Sequence, residues 1–139
     1  MDPERVAQVL AVGTNHARVE TARDLENTMA TLGPDPVYEF FPVGLRLRGT
    51  DGVRRYYEHL MAQFLPNVES ATVVGEWCNE NSLNQEYDVQ LRVDGQLERH
   101  RVLGILLVAG DRLSGERIYG GERLLRLMLG GVYDELEPI

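Results

Sequence analysis

Three histidines (His16, His59 and His100) and one cysteine (Cys78) are the side chains of this sequence that titrate nearest neutral pH. All 14 basic residues are arginine. Schiff-base chemistry and lysine-dependent phosphate loops, which need a primary amine, are therefore excluded. A lone cysteine makes neither an internal disulfide nor a thiolate zinc site. The histidines are too widely spaced for a metal-binding helix motif, so no metal or other cofactor is expected.

His16 is the first candidate for chemistry. Asp2-Pro3-Glu4 reads as a helix start, with aspartate as the cap and proline at the first helical position. Along that helix Val6, Val9 and Leu10 face inward, and Gly13, His16 and Glu20 continue the line, so the stripe turns polar toward its C-terminal end. An inward imidazole can polarise a carbonyl or carry a proton at neutral pH; it can equally fill the helix end as a hydrogen-bonded core residue. Glu39, in the β-rich run 37–41, either faces solvent or stands in an apolar interior where desolvation makes it a base. Glu116, Arg117 and Tyr119 form either a polar cluster or a surface ion pair on a later strand.

The elements that must position these groups are legible from periodicity and turn residues. The stretch 35–64 is a strand, a loop and a helix. Its strand, bounded by Pro36 and Pro42, reads as a sheet edge or a strand terminus because proline cannot donate to a ladder. Thr50 is positioned to cap a helix whose Val53, Tyr56, Tyr57, Leu60, Met61 and Phe64 fall on one face. Before it, 21–24 (Thr-Ala-Arg-Asp) fits a capping box for a second helix that buries Leu25, Met29 and Leu32 and stops at Gly33-Pro34. After it come strand-like runs at 71–78, 85–93, 96–109 and 112–119. Asp94-Gly95 gives a type I′ hairpin signal, and Ser114-Gly115 a candidate bulge. A short amphipathic helix at 122–129 precedes an acidic tail, 132–139, that reads as loose. Helices first and antiparallel strands afterwards give an α+β domain over 1–139, with N-terminal helices covering a bent sheet.

Composition sets outer bounds. The net charge of −8, with no basic patch, argues against a nucleic-acid partner. No apolar run approaches the roughly 18 residues that cross a bilayer, and no signal-peptide pattern opens the chain. A cytoplasmic protein without a membrane partner is expected.

Two segments carry a family resemblance. VYEFFPVGLRLRGTDGVRRYY resembles a ketosteroid isomerase segment and ERIYGGERLL the last strand of SnoaL-like polyketide cyclases, both of the nuclear transport factor 2-like superfamily, which also includes limonene epoxide hydrolases. The resemblance implies a cystatin-like cone of curved sheet and helices that binds a small hydrophobic molecule, with homodimers formed across the outer sheet face. It implies that the isomerase base falls at Phe41 and its second acid near Gly104, while the cyclase acid falls at Gly121 and the hydrolase acid at Ile118. The family carboxylates are thus absent where expected. By the same resemblance His16 stands where the isomerase has its oxyanion tyrosine and Tyr57 where a second tyrosine supports it. If Gly104 faces the cone, strand alternation puts Val102, His100 and Glu98 on that side. The isomerase register points Val37, Glu39 and Phe41 inward; the hydrolase register points Tyr38 and Phe40 inward. The expected catalytic set is His16, Tyr57, Glu39 and His100, and the expected lining is Tyr38, Phe40, Phe41, Met61, Trp77, Leu103 and Tyr119. The activity implied is isomerisation, cyclisation or dehydration of a carbonyl compound; the competing reading is a non-catalytic binding or dimerisation module.

Overall fold

The computed structural model describes all 139 residues, Met1–Ile139. Helix α1 spans Pro3–Thr21, and the Asp2 carboxylate accepts from the Glu4 and Arg5 amides, as the start signal implies. It buries Val9, Gly13, His16 and Val19. Leu10, expected inward, is 40 % exposed, because one residue further on is a 100° turn away from the buried Val9–Gly13–His16 line. Helix α2 is only Leu25–Ala30. Thr21 stays in α1, and Asp24 caps α2 by accepting from the Asn27 amide, so the capping box does not form.

Leu32 opens strand β1 (Leu32–Phe41) instead of closing a helix. This strand is not a sheet edge, although it does terminate at Phe41, directly before Pro42. It pairs parallel with β6 (Arg112–Tyr119) and antiparallel with β2 (Leu45–Arg48), which the sequence reading left as loop. The prolines are tolerated because the β1–β6 register shifts between Leu32 and Val37, so Pro34 and Pro36 fall where no ladder hydrogen bond is needed.

Helix α3 (Thr50–His59) runs on into a π-helical turn at Leu60–Phe64. Its cap is Gly49 rather than Thr50, whose hydroxyl donates instead to the Pro34 carbonyl. All six stripe residues, from Val53 to Phe64, are buried. Each contributes about 2 kcal/mol by leaving water. The helix packs on β1 and β2, and Tyr56, Leu60 and Phe64 border a cavity shared with β3 (Val68–Cys78), β4 (Ser82–Val93) and β5 (Gln96–Ala109). With a last strand β7 (Glu137–Pro138) the sheet order is β3-β4-β5-β6-β1-β2-β7. Asp94 and Gly95 both have positive φ, as a type I′ turn requires. Register shifts in β3 and at Leu107/Val108 opposite Gly115 bend the sheet around the helices.

Helix α4 (Glu122–Leu129) ends in a 3₁₀ turn, Gly130–Glu135, and the tail is not loose. Val132 and Tyr133 are buried in the core, and strand β7 (Glu137–Pro138) pairs with β2, because burying those apolar side chains outweighs the solubility of the acidic neighbours. The tightest approach in the sheet is at Gly115, where an added Cβ would stand 1.8 Å from the Val37 carbonyl oxygen. Gly115→Ala must therefore push β1 and β6 apart, and urea unfolding should show a loss of about 3 kcal/mol or more.

Candidate functional site

Between the inner face of the sheet and helices α1 and α3 lies a cavity of about 170 Å³. Its apolar wall includes Leu60, Phe64, Val68, Val102, Leu106 and Ile118. Its polar wall includes Glu20, Tyr56, Gln85, Tyr87 and Glu116, and no arginine or histidine lines it. Two carboxyl groups therefore face a mostly apolar hollow with no cation on its surface.

Glu116 is held from behind by a chain of hydrogen bonds. The Thr31 hydroxyl donates to the Thr28 carbonyl at 2.6 Å, so it can only accept from His16 Nδ1–H, also at 2.6 Å. On the other ring edge, His16 Nε2 lies 3.1 Å from Tyr57 Oη and 3.4 Å from Glu116 Oε2. The Tyr57 hydroxyl donates to Glu116 Oε2 at 3.0 Å and is bonded to Tyr38 Oη. One hydroxyl hydrogen cannot serve both His16 and Glu116. The arrangement that satisfies every atom has Tyr38 donating to Tyr57, Tyr57 donating to Glu116, and an imidazolium at His16. Burial works against that charge, but the bond and charge of Glu116, with a further pull from Glu20, outweigh it and hold the His16 pKa above the ordinary histidine value.

Glu20 is the loosest member of the group. One of its carboxyl oxygens, one of Glu116 and a ring nitrogen of His16 all lie within 4.8 Å of one another. Burial and then the Glu116 charge push its pKa up to about 7, with His16 pulling only weakly the other way. Tyr38, Tyr56 and Tyr57 are held well above the ordinary phenol value, chiefly by burial, and remain neutral hydroxyls. One imidazole and two carboxylates are also a ligand set that suits a divalent ion. An imidazolium has no lone pair to give, so a metal there would have to displace the Tyr57 and Glu116 bonds at Nε2.

Of the expected catalytic residues, the fold brings His16 and Tyr57 together and leaves the other two elsewhere. Glu39 lies on the outer sheet face and accepts from Arg117 at 3.3 Å, because the inward residues of β1 are Tyr38 and Phe40, as in the hydrolase register. His100 does share the inner face with Val102 and Gly104, but it bonds Glu98 at 2.9 Å outside the cavity. Arg123 first, and then His100, hold Glu98 down to about 2. The expected lining is also displaced. Tyr38, Phe40 and Met61 are packed in the core. Phe41 stacks on Tyr119 with ring centroids 5.0 Å apart, and these two, Trp77 and Leu103 are all on the outer face, because alternation sends them opposite the cavity-lining Gly104 and Ile118.

Glu20 and Glu116 are the residues the sequence reading passed over as acids. Each carried a signal. Glu20 continues the His16 line of α1, and period-two alternation puts Glu116 on the face of buried Ile118, opposite Arg117 and Tyr119. Glu116 Oε1 lies 3.9 Å from where a Gly104 Cβ would be. A carboxyl group from the neighbouring strand thus occupies the space beside Gly104.

No protein-family model and no curated protein matches this sequence. Solved structures do match in fold. They include a protein provisionally named a ketosteroid isomerase from Kribbella flavida (20 % identity, TM-score 0.69, covering 84 % of this chain and 80 % of that one). An NTF2-like protein from Anabaena variabilis matches at 16 % identity and TM-score 0.70, covering 88 % and 94 %. An LEH-like epoxide hydrolase from M. tuberculosis matches at 18 % and 0.67, covering 95 % and 93 %. The chain has the nuclear transport factor 2-like fold, an α+β cone as its sequence implies. No helix is long and apolar enough to cross a membrane.

His16 and Glu20 both bind protons more firmly folded than unfolded. Such groups favour the folded state fully below their unfolded values, and the contribution is lost as pH rises through the folded value. For Glu20 that window runs from 4.5 to about 7, and for His16 it opens at 6.5. Stability should fall between pH 5 and 8, by up to about 3 kcal/mol from Glu20. Urea midpoints at the two pH values should show this slope, and Glu20→Gln should flatten it.

Proposed function

We propose that this protein moves a proton within a small, uncharged, hydrophobic carbonyl compound held in the cavity, as isomerases, cyclases and dehydratases of the SnoaL-like kind do. The observation that carries this reading is a pair of carboxyl groups, Glu20 and Glu116, in the wall of an apolar cavity with no cation lining it. A carboxyl group poised at about 7 is both a usable base and a usable acid at neutral pH. Glu20 takes the proton from the carbon beside the carbonyl; the bonding electrons shift onto the oxygen as an enolate; Glu20 then returns the proton at a second carbon. Glu116, fixed in its charged form by Tyr57 and His16, keeps Glu20 from ionising too readily. His16 acts through Glu116, since its ring does not line the cavity.

Exchange of carbonyl-adjacent hydrogens in D₂O, followed by proton NMR over a panel of small ketones, tests this. Glu20→Gln should slow exchange by roughly 100-fold or more. His16→Ala should slow it less and shift the pH profile, because Glu116 loses its imidazolium. Ketone binding with no exchange in the native protein would move the chain to the class of non-catalytic carriers, as would a Glu20→Gln variant that exchanges at the native rate.

We also propose that two copies associate through the outer sheet face. Trp77 is 50 % and Tyr119 39 % exposed there, beside half-buried Phe41, Leu103 and Ile105. The Arg101–Glu86, Arg117–Glu39 and Arg99–Asp88 pairs surround this apolar patch. Sedimentation equilibrium should give twice the chain mass, and Trp77→Glu with Tyr119→Glu should return it to the monomer value. A native monomer at tens of micromolar would refute the association.

A further inference from the structure

Tyr56 has a hydroxyl that nothing in the protein uses. The residue is 1 % exposed, its side chain lines the cavity, and its Oη makes no hydrogen bond within the chain. No fully buried side-chain polar atom in the chain lacks a partner, so this hydroxyl is reached from the cavity, and whatever occupies the cavity supplies its partner. The other buried tyrosine hydroxyl nearby and the half-buried one are engaged. Tyr57 serves Glu116, His16 and Tyr38. Tyr87 donates to Gln85 at 2.7 Å, and Gln85 donates to Glu76 at 2.7 Å. Glu20, whose charge acts more strongly on Tyr56 than that of Glu116, also lacks a hydrogen-bond partner, as does the solvent-exposed Thr21 at the cavity rim.

We infer that the ligand is a molecule of about one ring carrying an uncharged oxygen acceptor, and that the Tyr56 hydroxyl donates the hydrogen bond that holds this oxygen beside Glu20. The inference rests on the cavity being the ligand site, as proposed above. Three observations set the chemical class. Two carboxyl groups and no cation in the wall exclude carboxylates and phosphates. His16 already balances Glu116, and the Tyr56 hydroxyl is the buried donor in the wall without an acceptor, so the group it meets is an acceptor rather than an ammonium. The volume of about 170 Å³ is on the scale of an apolar cavity that holds a single aromatic ring. That is narrower than the polyketide or steroid frame the resemblance implies.

The test compares binding of cyclohexanone, methylenecyclohexane, cyclohexylamine, cyclohexanecarboxylate and the two-ring 1-decalone by ligand-observed NMR at pH 6.5, with the native protein and with Tyr56→Phe. Cyclohexanone should bind about tenfold more tightly than methylenecyclohexane, and Tyr56→Phe should erase that margin while leaving the hydrocarbon within twofold. The carbonyl stretch of bound cyclohexanone should shift to lower frequency in the native protein and return in the variant, which a purely structural role for Tyr56 would not produce. Equal binding of ketone and hydrocarbon, an unchanged ketone affinity in Tyr56→Phe, tighter binding of the amine, or tighter binding of 1-decalone would each overturn the inference. These are equilibrium measurements, so they can succeed while the exchange reaction fails. Absence of binding by all five probes would remove the ligand site itself, and both proposals with it.

Discussion

A carboxylate inside an apolar hollow is unstable unless its charge is met, and the arrangement around Glu116 is built on that constraint. Tyr57 from α3 and His16 from α1 converge on one of its oxygens, while Thr31 holds the far edge of the imidazole. Three elements distant in sequence are thereby tied to one strand residue. Removing any partner leaves a buried charge or hydroxyl uncompensated, so the network specifies how α1 and α3 sit on the sheet as well as what the cavity can do.

The same constraint sets the division of labour between the two acids. Glu116 has two fixed partners in the wall; Glu20 has none, and burial raises its pKa to about 7. The asymmetry arises from position. Glu116 projects from β6 toward the helix partners, over the space that Gly104 leaves on β5. Glu20 lies near the end of α1, one turn past His16, where no hydroxyl or guanidinium reaches it. The π-helical turn that ends α3 adds Leu60 and Phe64 to the cavity wall, so the apolar and polar parts of the site come from the same helix.

Much of the fold was legible because local signals and burial agreed. The stripe of α3, the Asp94-Gly95 turn and the runs 96–109, 112–119 and 122–129 match the structure, since period and turn chemistry depend on neighbours in sequence. The readings that differ are those where a distant strand decided the outcome. The prolines around 36 suggested an edge, but β6 pairs with β1 across a register shift that asks nothing of them. The tail read as loose on charge alone, whereas Val132 and Tyr133 find core to fill.

By itself the sequence determined that a helix places His16 inward, that a second helix presents Tyr56 and Tyr57 to a sheet, and that no lysine, thiolate pair or basic surface directs the chemistry. Only the tertiary structure decided that Glu20 and Glu116 face the cavity and that Glu39 does not. The reason is physical: whether a carboxyl group is a surface charge or a poised acid depends on the dielectric around it and the donors that reach it. Both are set by strands and helices that sequence distance keeps apart until the chain has folded.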